Sequence, residues 1–123
     1  MILAVHSRRL TFAITLKAER KDLQGNVVEY DYDPPQTDIV RVNIIGRKSM
    51  QDVDYTQRNN VLYLDWTPIL NGPYHIDVNI LTYEGVRFFA RIPETFEVVH
   101  WSQIPEDKEV MRDLAFTLKL NRI

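Results

Sequence analysis

The fold class is decided by the stretch Leu70-Asn-Gly-Pro-Tyr-His-Ile-Asp-Val-Asn-Ile80. Its first part, Asn71-Gly-Pro73, combines residues that favour a turn. From Tyr74 to Ile80 apolar and polar side chains alternate with a period of two, which predicts a half-buried β-strand. The stretch therefore predicts a corner of the chain from which a strand enters a sheet.

The tyrosine at this corner has a specific structural interpretation. In many immunoglobulin-like sandwiches a tyrosine near the start of the sixth strand donates its hydroxyl to the backbone upstream and stabilises the corner. We therefore predict that Leu70, Gly72 and Tyr74 form such a corner. The alternative is a generic turn followed by a strand that begins with tyrosine.

The rest of the chain repeats this combination of turns and alternating strands. The four glycines fall between apolar segments, and most turn signals lie about 9 to 14 residues apart, a spacing typical of antiparallel sandwiches. The predicted strands cover residues 10–16, 40–44, 62–64, 74–80, 86–92 and 96–98, with shorter edge strands at 27–32 and 53–55. The predicted core includes Leu16, Val42, Leu64, Tyr74, Ile76, Val78 and Phe96. These features predict an all-β, immunoglobulin-like antiparallel β-sandwich over residues 9–100.

Residues 101–123 differ in character and form a predicted C-terminal extension. Pro105-Glu-Asp-Lys-Glu109 has the proline and carboxylates of a helix N-terminus, and the apolar residues that follow predict a short helix. Phe116, Leu118 and Leu120 then return to a period of two, which predicts a terminal strand.

This terminal strand repeats part of the first strand. Ala13-Ile-Thr-Leu-Lys-Ala-Glu-Arg20 and Ala115-Phe-Thr-Leu-Lys-Leu-Asn-Arg122 are identical at five of eight positions. One interpretation is that Phe116, Leu118 and Leu120 contact a neighbouring subunit, because an extended segment can add to a free sheet edge. The alternatives are a chance match, or a strand that folds back onto its own domain.

Composition excludes several functional classes. Fifteen Lys and Arg against seventeen Asp and Glu give a net charge of -2, so the basic surface of a nucleic-acid-binding protein is not expected. The absence of cysteine excludes a disulfide, a thiolate nucleophile and thiolate metal ligands. No apolar segment reaches the roughly 20 residues that a membrane helix requires. We expect no nucleic acid, membrane or cofactor as a partner.

Candidate catalytic and metal-binding residues are few. His6 precedes Ser7, and His100 lies two residues before Ser102, but neighbours along a strand point to opposite faces and no carboxylate frames either pair. Glu29-Tyr-Asp-Tyr-Asp33 resembles a set of calcium ligands, yet solvated charge on an edge strand explains the same residues. We predict no catalytic residue and no metal site.

Aromatic residues are the remaining candidates for a binding surface. Tyr30, Tyr32, Tyr55, Tyr63 and Trp66 lie on or beside predicted strands, where some of them must face outward. Exposed aromatic rings stack on sugars or fill protein interfaces. We predict Tyr30, Tyr32 and Trp66 as interaction residues, with packing at the ends of the sandwich as the alternative.

Several segments together resemble a known family. They are Val61-Leu-Tyr-Leu64, Leu70-Asn-Gly-Pro-Tyr74, Ile76-Asp-Val-Asn-Ile80, Gly85-Val-Arg87 and Thr95-Phe-Glu-Val-Val99. This pattern resembles the second half of immunoglobulin-like domains in structural proteins of tailed bacteriophages, such as the baseplate upper protein family. The resemblance extends over residues 10–99 and ends before the C-terminal extension.

The resemblance implies a non-catalytic building block of a virion that is assembled in the bacterial cytoplasm. Its partners would be other virion proteins or copies of itself in a homo-oligomer, at a baseplate, tail, fibre or capsid. The alternative function is a carbohydrate-binding β-sandwich module for adhesion.

Overall fold

The computed structural model describes residues 2–104, 110 and 112–123 of the chain. The described residues are nearly all β, and none of their helices is long and apolar enough to cross a membrane. The strands are β1 (Ile2–Val5), β2 (Leu10–Lys21), β3 (Val27–Asp31), β4 (Ile39–Ile45), β5 (Met50–Asp52), β6 (Thr56–Arg58), β7 (Val61–Trp66), β8 (Gly72–Leu81), β9 (Arg87–Arg91), β10 (Phe96–Val99), β11 (Asp113–Lys119) and β12 (Asn121–Arg122). The 3-10 turn Trp101–Gln103 follows β10.

The strands form two sheets. The first sheet has the order β1-β10-β8-β4-β5, with β9 also on β8 and β12 on β9. The second has the order β11-β2-β7-β6, with β3 also on β2. The pairs β1–β10 and β11–β2 are parallel, so the prediction of a wholly antiparallel arrangement is wrong for them. Both pairs join segments far apart in the chain, where no tight turn imposes an antiparallel direction.

One hydrophobic core lies between the sheets, and the alternation in the sequence predicts its members. Leu10, Phe12, Ile14 and Leu16 on β2 are at most 2% exposed. All seven predicted core residues are buried, which confirms that prediction. Phe12 of the second sheet meets Phe96 of the first with ring centroids 6.1 Å apart. Burial of each large apolar side chain contributes about 1.5–3 kcal/mol to folding.

The C-terminal strand β11 belongs to this core and pairs with β2 of the same chain. The register places identical residues side by side: Ala13 and Ala115, Thr15 and Thr117, Leu16 and Leu118, Lys17 and Lys119. Leu118 and Leu120 are 2% and 3% exposed. The fold-back alternative is therefore correct, and the strand-exchange prediction is wrong, because these leucines are buried against their own domain.

Two further predicted boundaries need correction. β1 lies before residue 9, yet it extends the first sheet by pairing with β10, so residues 9–100 do not contain the whole of both sheets. Residues 53–55 are not a strand, because they carry the chain from β5 in one sheet to β6 in the other. The predicted helix from Pro105 lies outside the described residues.

Candidate binding groove

A groove on the outer face of the second sheet results from the register of four strands. Across β6, β7, β2 and β11 the adjacent outward residues are Thr56, Tyr63, Ala13 and Ala115. Tyr63 is 42% exposed and stands beside two methyl groups, so the sheet surface drops next to its ring. The resulting groove encloses about 690 Å³.

The next row of outward residues is polar. Asp65, Thr11 and Asp113 lie side by side on β7, β2 and β11. The Arg9 guanidinium forms an ion pair with Asp65, and the Thr11 hydroxyl donates a hydrogen bond to Asp113. A row of oxygen acceptors therefore runs along one side of the apolar floor.

The connection between β5 and β6 forms another part of the wall. Asp54 and Tyr55 line the groove together with Tyr63. Burial raises the pKa of the Tyr55 hydroxyl. A tyrosine hydroxyl is protonated at neutral pH with or without this shift, and it can both donate and accept hydrogen bonds. The groove thus combines aromatic and methyl surface with carboxylates and hydroxyls.

Sequence reasoning did not find this groove. It named Tyr55 and Tyr63 only as members of a group of aromatics, and Thr11, Asp65 and Asp113 were not candidates. The sequence feature that indicated the groove was the repeat that contains Ala13 and Ala115. Small outward residues on two strands form one depression in the sheet surface only if those strands are neighbours.

Trp66 is not on the surface, so its prediction as an interaction residue is wrong. Its ring is 9% exposed and lies 5.0 Å from the ring of Tyr74 and 5.7 Å from that of Phe96. Its indole N–H donates to Gln51 Oε1 at 2.8 Å. Trp66 has the same phase in β7 as Leu62 and Leu64, and this phase directs it into the core.

Tyr30 and Tyr32 are half-buried at the β3 edge of the second sheet. The Tyr32 hydroxyl donates to Asp38 at 2.5 Å, and its burial and this bond raise the pKa of Tyr32. Its ring lies 5.4 Å from that of Phe88, while the Arg20 guanidinium lies 5.1 Å from the Tyr30 ring centroid. Both tyrosines have intramolecular partners, and their role in interaction stays a prediction.

Phe116, Leu118 and Leu120 do not form a contact surface. Leu118 and Leu120 are core residues, and Phe116 is half-buried and packs against the core. The three were predicted as interaction residues on the assumption that β11 leaves its own domain. Since β11 pairs with β2, this prediction is wrong.

The predicted hydrogen bond at the corner is present. The Tyr74 hydroxyl donates to the Leu70 carbonyl at 2.7 Å. Gly72 has φ +128°, a backbone conformation that residues with a side chain rarely adopt. A Cβ atom on Gly46 would lie 2.7 Å from the Tyr74 ring, so this glycine allows the β4–β5 turn to pack against the ring.

The two histidine and serine pairs are closer than predicted. His6 Nδ1 lies 2.8 Å from Ser7 Oγ, and His100 Nδ1 lies 2.7 Å from Ser102 Oγ. The expectation of opposite faces is wrong for His6 and Ser7, because Ser7 has φ +67° and does not continue a strand. It does not apply to His100 and Ser102, which are two residues apart and meet because His100 caps the 3-10 turn that contains Ser102. The other ring nitrogen of His6 lies 2.7 Å from the Ile69 carbonyl oxygen.

The acidic residues of the β3 region have intramolecular partners. Asp31 forms an ion pair with Lys17, and Asp33 accepts a hydrogen bond from Gln57 at 2.9 Å. In residues 2–104, 110 and 112–123, no group of three or more His, Cys, Asp or Glu side chains could hold a metal ion.

Comparisons of the chain with models of protein families, with curated proteins and with solved structures gave no match.

Proposed function

We propose that this chain is a non-catalytic structural or assembly protein of a bacteriophage virion, built on an immunoglobulin-like sandwich and acting through protein–protein contacts. Its partners are other virion proteins or copies of the chain in a homo-oligomer. The hydrogen bond from Tyr74 to the Leu70 carbonyl supports the fold proposal, because that corner recurs in such sandwiches.

The observation that carries the functional proposal is a set of three exposed apolar side chains in the segments before β8 and after β10. They are Ile69, Leu70 and Trp101, which are 65%, 51% and 66% exposed. We call this set the end patch. Exposed aromatic and large aliphatic side chains in one region are typical of protein interfaces, where tryptophan contributes strongly to binding.

His6 brings the two parts of the end patch together. Its ring lies 2.7 Å from the Ile69 carbonyl oxygen, and its backbone N–H donates to the Val99 carbonyl, two residues before Trp101. Ser7 adds a backbone bond to Pro68 at 2.8 Å. The turn before β8 and the turn after β10 are therefore held at the same end of the domain.

The same contacts support a non-catalytic role. In serine hydrolases a carboxylate orients the histidine that activates the serine. In this chain the His6 ring has the Ile69 carbonyl as its second partner instead. A neutral carbonyl stabilises an imidazolium less than a carboxylate does, so this pair is suited to stabilising a turn.

Light scattering coupled to size-exclusion chromatography tests the proposal. We expect the intact chain to self-associate, and Trp101→Ser to shift the mass toward that of a monomer. Leu23→Ser is the matched control, because Leu23 is fully exposed at the β2–β3 turn and lies outside the end patch. A monomeric intact chain at all concentrations would contradict self-association, and equal effects of both variants would contradict the end patch.

A further inference from the structure

Two kinds of surface lie side by side in the groove of the second sheet. The Tyr63 ring and the methyl groups of Ala13 and Ala115 form an apolar wall and floor. Asp65 and Asp113 place carboxylate oxygens in the adjacent row. A ligand that satisfies both has an apolar face and hydrogen-bond donors along its edge.

We propose that this groove binds a carbohydrate, with a sugar ring stacked on Tyr63 and its hydroxyl groups donating to the carboxylates of Asp65 and Asp113. A pyranose ring has C–H bonds on its face and hydroxyls around its rim, so it matches both surfaces. The groove volume of about 690 Å³ lies within the range of roughly 300–1,000 Å³ typical of small-molecule sites.

The pairing of Asp65 with Arg9 favours a neutral group over a cationic one at that position of the groove. Asp65 is already paired with Arg9, and Asp113 accepts a hydrogen bond from Thr11. A cationic side chain would have to compete with Arg9 for Asp65. A hydroxyl group of the ligand needs only one free lone pair on a carboxylate oxygen in order to donate a hydrogen bond. A carboxylate that already accepts one hydrogen bond still has several lone pairs.

The backbone of the groove floor also argues against a peptide strand. β2 is paired with β7 on one side and with β11 on the other over the residues that form the floor. The main-chain groups of β2 are therefore already bonded, and a peptide lying over β2 could not add to the sheet at that strand. Over β2, recognition comes from side chains, as it does for a sugar.

The Tyr55 hydroxyl supplies a further polar group at the wall. Tyr55 lines the groove, and a tyrosine hydroxyl can donate to a ring or hydroxyl oxygen of the sugar. The groove then offers a donor as well as acceptors. A sugar hydroxyl can act in both ways, which distinguishes it from an ammonium group.

A glycan array with the full chain, followed by calorimetric titration of the glycan that binds most strongly, tests this site. We expect Tyr63→Ala to weaken binding at least about tenfold, since ring stacking and burial of the ring face are both lost. Tyr83→Ala is the matched control, because Tyr83 is 81% exposed in the β8–β9 turn and does not line the groove. Its affinity should stay within about twofold of the intact chain.

A second variant fills the groove without touching the core. Ala115 points outward from β11, so Ala115→Trp should abolish glycan binding while the thermal unfolding curve is unchanged. The proposal is overturned if the intact chain binds no glycan on the array. It is also overturned if both groove variants bind as well as the intact chain, or if tetralysine binds through Tyr63 and no glycan does. These results do not depend on self-association, so they are separate from those of the end-patch test.

Discussion

The two faces of the second sheet are formed by the same strands, but they differ in the side chains that they carry and in how far these are buried. Inward residues such as Phe12, Leu16 and Leu118 are at most 2% exposed and pack in one core. Outward residues on the same strands are alanine, threonine, aspartate and lysine. Burial of the inward residues contributes to the free energy of folding. The outward residues contribute less to it, so they are the ones that can contact a ligand.

The outer face is itself divided. Near its β3 end, Lys17 forms an ion pair with Asp31, and Lys119 forms one with Glu19. At the groove the side chains are small or aromatic, with carboxylates beside them. The charged side chains near β3 are paired with one another. The side chains of the groove are therefore the part of the outer face that a ligand can contact.

Removal of the C-terminal strand should have the largest effect on this comparison. Deletion of residues 115–123 takes Leu118 and Leu120 out of the core and leaves one edge of β2 without backbone partners. We expect the truncated chain to lose its cooperative unfolding transition in circular dichroism. Removal of Ile123 alone, which is 79% exposed, is the control and should leave the transition intact. A truncated chain that melts like the intact one would restore the strand-exchange interpretation.

Adjacent residues of β8 test the same difference between inward and outward residues in the first sheet, with single substitutions. Ile76 is 1% exposed, and Ile76→Ala should lower the free energy of unfolding by about 2–5 kcal/mol through lost burial and a cavity. His75→Ala should change it by less than about 0.5 kcal/mol, because His75 lies on the other face. Urea melts measure both values. Equal losses would mean that the inner and outer faces are assigned wrongly by one residue.

The corner tyrosine tests a polar group on the inner face. Tyr74→Phe keeps the buried ring and removes only the hydroxyl that donates to Leu70. We expect a loss of about 0.5–1.5 kcal/mol in the free energy of unfolding, the usual range for one hydrogen bond. Tyr63→Phe on the outer face is the control and should have almost no effect. An unchanged free energy of unfolding in Tyr74→Phe would show that the corner hydrogen bond contributes nothing to stability.

The ion pairs of the outer face should have the smallest effect. The Lys119 and Glu19 side chains are 50% and 36% exposed, so water and salt screen their attraction. Glu19→Gln should lower the free energy of unfolding by no more than about 1 kcal/mol at low ionic strength, and less at high ionic strength. Urea melts at two salt concentrations check this. A larger loss that salt does not reduce would contradict a screened ion pair, because Gln keeps the stem of Glu and removes only its charge.

Local sequence patterns predicted the longer strands and most of their inward residues, but they did not predict β1, β5, β6 or β12. The alternation from Leu10 to Leu16 and from Tyr74 to Ile80 is a direct consequence of strand geometry, in which successive side chains point to opposite faces. The corner bond could be predicted as well, because Leu70 and Tyr74 are only four residues apart. The same alternation predicts that Trp66 is buried, because Trp66 has the phase of Leu62 and Leu64 in β7. Its aromatic ring indicated an exposed interaction residue instead, and that prediction was wrong.

The partners of each strand were decided only by the tertiary structure. The repeat at Ala13 and Ala115 indicated two similar strands, yet it left open whether the second one pairs within its own chain. The groove depends on that choice, because Tyr63, Ala13 and Ala115 become neighbours only when β7, β2 and β11 lie in one sheet. A period of two determines the face of each residue within its own strand. It carries no information about which distant strand lies alongside, because that pairing depends on how all the inward faces pack together in one core.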